Sequence, residues 1–283
     1  MKPSPFEYSA PTSMDEALAV LALDPDETKI LAGGQSLIPM MNFRLARPER
    51  LVDINRIPGI DQPEVEADRY RIATRTRHIT LQNTTLAGPL GHLLRQAAAR
   101  VGHLPIRTRG TFGGSLAHCD AASEWCLVAS LLDAEITARS EARGERTIPA
   151  AEFFQAIFTT ALEPDEILTS VSLPLLDDTW VTGIAEFARR AGDFGIVTAT
   201  AAVKVVEGAV TEARVSIGGV DEVPFRSAAA ESTMLGASWS AEVVTEAAEA
   251  AAREVQPPSD THGDAAYRRD LVRALLPRAL GQP

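Results

Sequence analysis

The sequence predicts a mixed α and β protein of two domains, and three observations carry that prediction. The chain has 283 residues, enough for two cores of ordinary domain size. Short apolar runs of strand character alternate with runs of helical spacing as far as Pro174. Beyond Leu175-Leu176-Asp177-Asp178 the pattern changes to long alternating strands joined by tight turns, followed by alanine-rich helices. We therefore divide the chain into residues 1–176 and 177–283.

In chain order, Ser13 with Glu16 three residues later reads as a capping box opening a helix to about Leu23, with Ala17, Leu18 and Leu21 on its apolar face. Lys29–Ala32 is a short buried strand, Gly33-Gly34 turns it, and Ser36 stands where an N-cap would start the next helix. Arg50–Ile54 and Tyr70–Ala73 are further strands. Leu90–Val101 carries apolar residues at i, i+3, i+4 spacing and reads as an amphipathic helix. A helix over Trp125–Leu132, with Asp120 as its candidate cap, leads to a strand at Ala134–Ala138, the apolar Phe153-Phe154 and an alternating strand at Glu166–Pro174. In the second domain Ile184–Arg190 is a strand before the turn Ala191-Gly192-Asp193. Thr198–Val206 and Val210–Val220 make a hairpin. Ala228–Gly236, Ala241–Val255 and Tyr267–Leu280 are helices, the last with its basic residues on a polar face.

Composition narrows the function. Apolar and charged fractions of 45% and 23% are those of a globular protein, and a net charge of −11 with no basic run opposes a nucleic-acid partner. No apolar run is long enough to span a membrane, and no basic-then-apolar leader is visible, which together with two cysteines predicts a cytoplasmic protein. Cys119 and Cys126 cannot supply the four thiolates of an ordinary iron–sulfur cluster. The five histidines show no metal-binding spacing.

Two glycine pairs, Ala32-Gly33-Gly34-Gln35-Ser36-Leu37 and Thr111-Phe112-Gly113-Gly114-Ser115-Leu116, each lie between a strand-like and a helix-like run. Adjacent glycines let the backbone approach a ligand and aim several N–H groups at one point, so the two pairs suggest a ligand with two phosphates. One pair alone is an ordinary turn. Neither Gly-x-Gly-x-x-Gly nor a Walker-type motif occurs, so a nucleotide cofactor would sit on some other scaffold. Asp120 reads either as a helix cap or as a ribose ligand, and Arg107 and Arg109 either meet phosphate or lie in solvent. Ser115, His118 and Asp120 are too crowded, and lack the elbow motif, for hydrolase chemistry.

With Ile38-Pro39, Arg47–Ile54, Ile106–His118, Phe187–Phe194 and Tyr267-Arg268-Arg269 added to the glycine pairs, nearly the whole chain resembles the FAD-binding medium subunit of the molybdenum hydroxylases. The resemblance implies an α+β fold: a two-subdomain FAD-binding domain of the vanillyl-alcohol-oxidase type, also called the PCMH type, then a smaller domain with an antiparallel sheet and helices. It implies that Ala32, Gly33, Gly34, Gln35, Ser36 and Leu37, with Thr111, Gly113, Gly114 and Ser115, embrace the FAD pyrophosphate, and that His118 also binds the cofactor. Asp120 and Glu124 would reach the sugar or ribityl region. Val101 and Gly102 would also touch FAD, Ile167 and Leu168 would line its apolar part, and Asp193 belongs to a third motif. Phe112, Cys119, Ala121 and Gly195 depart from the commonest family pattern.

The resemblance further implies an electron-transfer subunit in a hetero-oligomer, a trimer or a dimer of trimers. A small subunit would carry [2Fe–2S] clusters, a large one the molybdopterin, and no catalytic residue would be needed here. Noncovalent FAD is expected, since no flavin-attachment motif is present. The rival readings are a self-sufficient flavin reductase or oxidase on the same fold, and a flavin-free assembly scaffold.

Overall fold

The computed structural model describes residues 2–281. The chain begins with β1 (Glu7–Ser9), α1 (Met14–Ala22), β2 (Thr28–Leu31), α2 (Leu37–Asn42) and β3 (Arg50–Asp53). These strands form a parallel sheet in the order β1-β3-β2. Ser13 accepts the Glu16 N–H as the capping box predicts, but the Glu16 carboxylate takes the Thr12 N–H at 2.8 Å, one residue upstream. Ala17, Leu18 and Leu21 of α1 bury against Val52, Ile54 and Ile57 to make a small core of their own.

A second subdomain follows with β4 (Pro63–Glu66), β5 (Arg69–Ala73), α3 (His78–Gln82), α4 (Gly88–Arg100), α5 (Leu104–Arg109), α6 (Phe112–His118) and α7 (Glu124–Leu131). It closes with β6 (Glu135–Ser140), β7 (Gly144–Pro149), α8 (Ala150–Phe153), β8 (Phe154–Ala156), β9 (Thr159–Thr160) and β10 (Glu166–Pro174). Its five-stranded antiparallel sheet runs β4-β5-β10-β6-β7. The stripe Leu90, Leu93, Leu94, Ala97 and Ala98 of α4 is fully buried, as its spacing requires. Every residue of α7 is buried, Glu124 included, because the helix lies inside the molecule. Asp120 does not cap it: Ser123 stands at the N-cap, and the Asp120 carboxylate instead accepts the Ala122 N–H at 2.9 Å. Ser36 likewise stands before α2 without a side-chain cap bond.

The remainder is β11 (Trp180–Phe187), β12 (Val197–Val206), β13 (Ala209–Gly218), β14 (Phe225–Arg226), α9 (Ala228–Met234), α10 (Ala241–Glu254) and α11 (Ala265–Leu280), with one antiparallel sheet in chain order and its own core. Trp180 and Ile184 of β11 nevertheless join the core of the preceding subdomain, and Arg226 donates to Ser130 O at 2.7 Å. Arg268 departs from the expected polar face. It is 4% exposed, and its guanidinium donates to the carbonyls of Ile196 and Gly219 at 2.6 and 2.7 Å and to Asp260. Those carbonyls end strands that have run out of ladder partners, so a buried cation satisfies them.

Candidate functional site

The first glycine loop leaves β2 at Leu31 and enters α2 at Leu37. Gly34 has φ +72°, a conformation that favours glycine. Gln35 Nε2 donates back to Gly33 O at 3.1 Å, and Asn55 Nδ2 donates to Ala32 O at 2.7 Å. With these carbonyls turned into the protein, the N–H groups of Gly33, Gly34, Gln35, Ser36 and Leu37 find no acceptor among the described residues. A run of five consecutive unpaired donors, of which Gly33, Gly34 and Gln35 line one hollow, makes a nest of the kind that holds anionic oxygens.

The second glycine pair is built differently. Gly113 and Gly114 lie within α6, neither at positive φ. Thr111 is the N-cap, its hydroxyl accepting the Gly114 N–H at 3.1 Å. The N–H groups of Phe112, Gly113 and Ser115 go to Thr76 O, Thr74 O and Thr111 O. The expected row of outward donors is therefore absent here, and Ser115 offers its hydroxyl. These glycines serve close packing instead: a Cβ on Gly113 would lie 2.7 Å from Thr74 O.

The two loops meet at Gly33, where a Cβ would lie 2.6 Å from Arg109 O and 2.7 Å from the Gly110 Cα. A Cβ on Gly114 would reach to 4.0 Å from the Ala32 Cβ. Beside the first loop opens a cavity of about 490 Å³ lined by Gly33, Gly34, Asn42, Asp53 and Asn55 among others, with Arg109 as its one residue from the approach to the second loop and none from Thr111–Ser115. A hollow on Ala241–Glu246 of α10 lies elsewhere and holds none of the candidate residues. Asn55, in the single 3-10 turn Ile54–Arg56 that follows β3, gives Nδ2 to Asp53 at 2.6 Å as well, and its Oδ1 accepts from Arg77 at 2.5 Å. Arg77 also donates to Arg109 O. Neither residue stands out in the sequence, since the bonds link segments 22 and 32 positions apart.

Val101 and Gly102 stand at the end of α4, Gly102 at φ +46°. Their carbonyls accept from Arg107 at 3.1 and 2.6 Å, so Arg107 neither lies free in solvent nor faces the first loop. The exposed Asp193 sits in a turn of the second domain that reaches this point, since a Cβ on Gly192 would lie 2.4 Å from the His103 ring. His118, at the end of α6, stacks on Phe158 at 4.9 Å, and burial lowers its pKa. Ile167 and Leu168 are 2% and 4% exposed and turn into two different cores, so their side chains line no open surface.

Glu124 is 5% exposed, and its pKa is raised to about 8 by burial and then by Glu186, with Arg100 opposing. Behind α6, Trp125 Nε1–H donates to His78 Nδ1 at 2.9 Å, and Phe112 packs on the same indole at 5.0 Å. Burial, then Arg77 and Arg107, lower the His78 pKa to about 3, so the ring is neutral. His78 N–H donates to Gly110 O, which supports the second loop from beneath. Cys119 and Cys126 are buried free thiols, both raised in pKa chiefly by burial and so unreactive.

This donor set fits an FAD: a neutral nest for phosphate oxygens, a cationic Arg109 beside it, and the carboxylate of Asp53 and the amide of Asn42 for hydroxyl groups. Comparison with known proteins agrees. Residues 4–176 match the family model described as the FAD binding domain in molybdopterin dehydrogenase, and 184–282 match the CO dehydrogenase flavoprotein C-terminal domain. The chain is 38% identical to the 6-hydroxypseudooxynicotine dehydrogenase complex subunit alpha of Paenarthrobacter nicotinovorans, over 100% of this chain and 95% of that one. It is 37% identical to the nicotine 6-hydroxylase medium subunit of the same organism, over 99% and 98% of the two chains. Among solved structures, carbon monoxide dehydrogenase from Hydrogenophaga pseudoflava, lacking the Mo-pyranopterin moiety of its molybdenum cofactor, superposes with a TM-score of 0.94 at 32% identity, over 99% of this chain and 97% of that one. With both family models matched, one on each side of the change in sequence pattern, the chain belongs to the FAD-binding medium subunits of the molybdenum hydroxylases, a family of oxidoreductase components.

Proposed function

We propose that this chain is the electron-transfer subunit of a cytoplasmic hetero-oligomer, a trimer or a dimer of trimers. In it, a large molybdopterin subunit oxidises the substrate, a small subunit relays electrons through [2Fe–2S] clusters, and FAD held here passes them to an external acceptor. The observation that carries this reading is the run of unpaired N–H groups at residues 33–37, in a loop that shares its cavity with Arg109. The division at 176/177 is the one along which we expect the flavin domain and the smaller domain to separate.

The chain's own part is to bind and orient. The nest of Gly33 to Leu37 would take pyrophosphate oxygens. Ser115, Asp120 and Glu124 would line the path from the pyrophosphate along the sugar and ribityl, with His118, Val101, Gly102 and the Asp193 turn at its border. Thr111, Gly113 and Gly114 would act through packing and capping. Ile167 and Leu168 would offer backbone alone. Bound FAD supplies two-electron and one-electron redox chemistry that no side chain here provides. No described helix is long and apolar enough to cross a membrane.

Expressed alone, the chain should hold FAD that acid precipitation releases, with neither iron nor molybdenum by elemental analysis. Tagged in its own organism, it should bring down two further polypeptides, one with iron and labile sulfide and one with molybdenum. Recovery as a lone flavoprotein that substrate reduces in the absence of metals would overturn the assignment in favour of a self-sufficient flavoenzyme.

A further inference from the structure

We propose that Arg77, acting through Asn55, is the positioning residue that clamps the two glycine loops together and sets the direction of the outward donor row. The inference rests on the FAD reading above. The geometry begins at Ala32 O, which accepts Asn55 Nδ2 at 2.7 Å. Because the peptide unit is planar and trans, fixing that carbonyl toward Asn55 fixes the Gly33 N–H to point the opposite way, where no described acceptor takes it. Gln35 Nε2 on Gly33 O fixes the Gly34 N–H by the same logic. Asn55 is itself held: its Nδ2 also reaches Asp53, which fixes the amide's orientation, and its Oδ1 accepts from Arg77.

The other end of the guanidinium donates to Arg109 O, the carbonyl against which Gly33 packs. One side chain thus spans from the first loop's tether to the second loop's backbone. Arg77 stands at the N-cap position of α3, and its backbone bridges to Thr111, the cap of α6.

Its charge supports the same assignment. Among the described residues Arg77 forms no ion pair, and its side-chain bonds go to neutral acceptors on Asn55 and Arg109. Burial disfavours it first, neighbouring Arg75 and Arg109 then repel it, and Asp61 and Asp53 compensate in part. A half-buried cation held among cations, with its bonds divided between two ligand loops, stabilises a relation between loops rather than a local fold. Arg75 offers the contrast: it is also partly buried, but it pairs with Asp61 at 2.9 Å and donates to Ile57 O, with no side-chain hydrogen bond to either loop among the described residues.

The test is titration of the deflavinated full chain with FAD, read by flavin fluorescence, with the ³¹P spectrum of the bound pyrophosphate and the melting temperature of the apo chain. Arg77→Met should weaken FAD at least about tenfold and move the ³¹P resonances, Arg77→Lys less so, and Arg75→Met should leave both within about twofold of wild type. Asn55→Ala breaks the same bridge from the other end, so its effect should not add to that of Arg77→Met, and it stands in should Arg77→Met fail to fold. Wild-type affinity with unshifted ³¹P signals in folded Arg77→Met or Asn55→Ala, or equal losses in Arg75→Met, would overturn the clamp alone. A wild-type chain that takes up no FAD would overturn the FAD assignment, and the clamp with it.

Discussion

Gly33 carries only a hydrogen where any other residue would push into the backbone of Arg109 and Gly110, and backbone atoms cannot swing aside. Gly33→Ala should part the loops and lower FAD affinity by at least about tenfold, or 1.4 kcal/mol, with the far-UV circular dichroism retained. Gly114 behaves differently, because a Cβ there would meet the Thr111 hydroxyl at 2.6 Å and so contest a helix cap. Two buried titrating groups give stability opposite pH slopes. Glu124, raised from an ordinary 4.5 to about 8, keeps in the folded state a proton that the unfolded chain releases, so its contribution is full below pH 4.5 and is lost as pH rises to 8. His78, lowered from 6.5 to about 3, contributes fully above pH 6.5 and loses that contribution as pH falls toward 3. Each limb has a limiting slope of about 1.4 kcal/mol per pH unit. Urea midpoints of the apo chain across pH should show Glu124→Gln flattening the alkaline limb and His78→Gln the acid one. The sequence displays the glycines plainly, but it does not say which pair donates. That depends on where Thr74, Thr76 and Asn55 place their acceptors and donors, which only tertiary contact decides.

Among the elements, α6 shows how a short helix can be specified by its first residue. Seven residues with two glycines have poor helical propensity, and the Thr111 cap offsets part of that. Thr111→Ala should lower unfolding free energy by about 1 kcal/mol, and Thr111→Ser should keep most of it, by denaturant midpoint. The longer elements were legible from their apolar patterns: α4 and α10 bury a helical stripe, β10 is a buried central strand, and all three fall within a few residues of the expected bounds. β1 and β4 were not, since Glu7, Tyr8, Glu64, Val65 and Glu66 lie exposed and leave no alternation to read. Asp120 misled because an acidic residue ahead of an apolar run signals a cap, whereas Ser123 stands nearer and the carboxylate folds into its own turn.

For the whole molecule, the change of pattern near Asp177 was visible in sequence, yet the packing across it was not. Trp180 and Ile184 belong to a core formed mainly by residues before the change, and one stretch of chain carries no mark of the surface it will meet. Arg268 is the clearest case, a basic residue in a helix that reads as amphipathic, drawn inside to serve the Ile196 and Gly219 carbonyls. Arg268→Met would orphan both, at about 1–3 kcal/mol each. The expected result is a second domain that unfolds at lower denaturant while FAD content is unchanged.

The bond from Trp125 to His78 places an indole directly behind the helix that carries the second glycine pair. Flavins absorb in the band where indoles emit, so bound FAD will darken this tryptophan, and release will restore its light. Of the three tryptophans, Trp180 and Trp239 lie beyond residue 176, so a Trp180→Phe, Trp239→Phe chain would leave Trp125 as its single indole. The chain thereby contains its own optical probe of cofactor occupancy, one that needs no label.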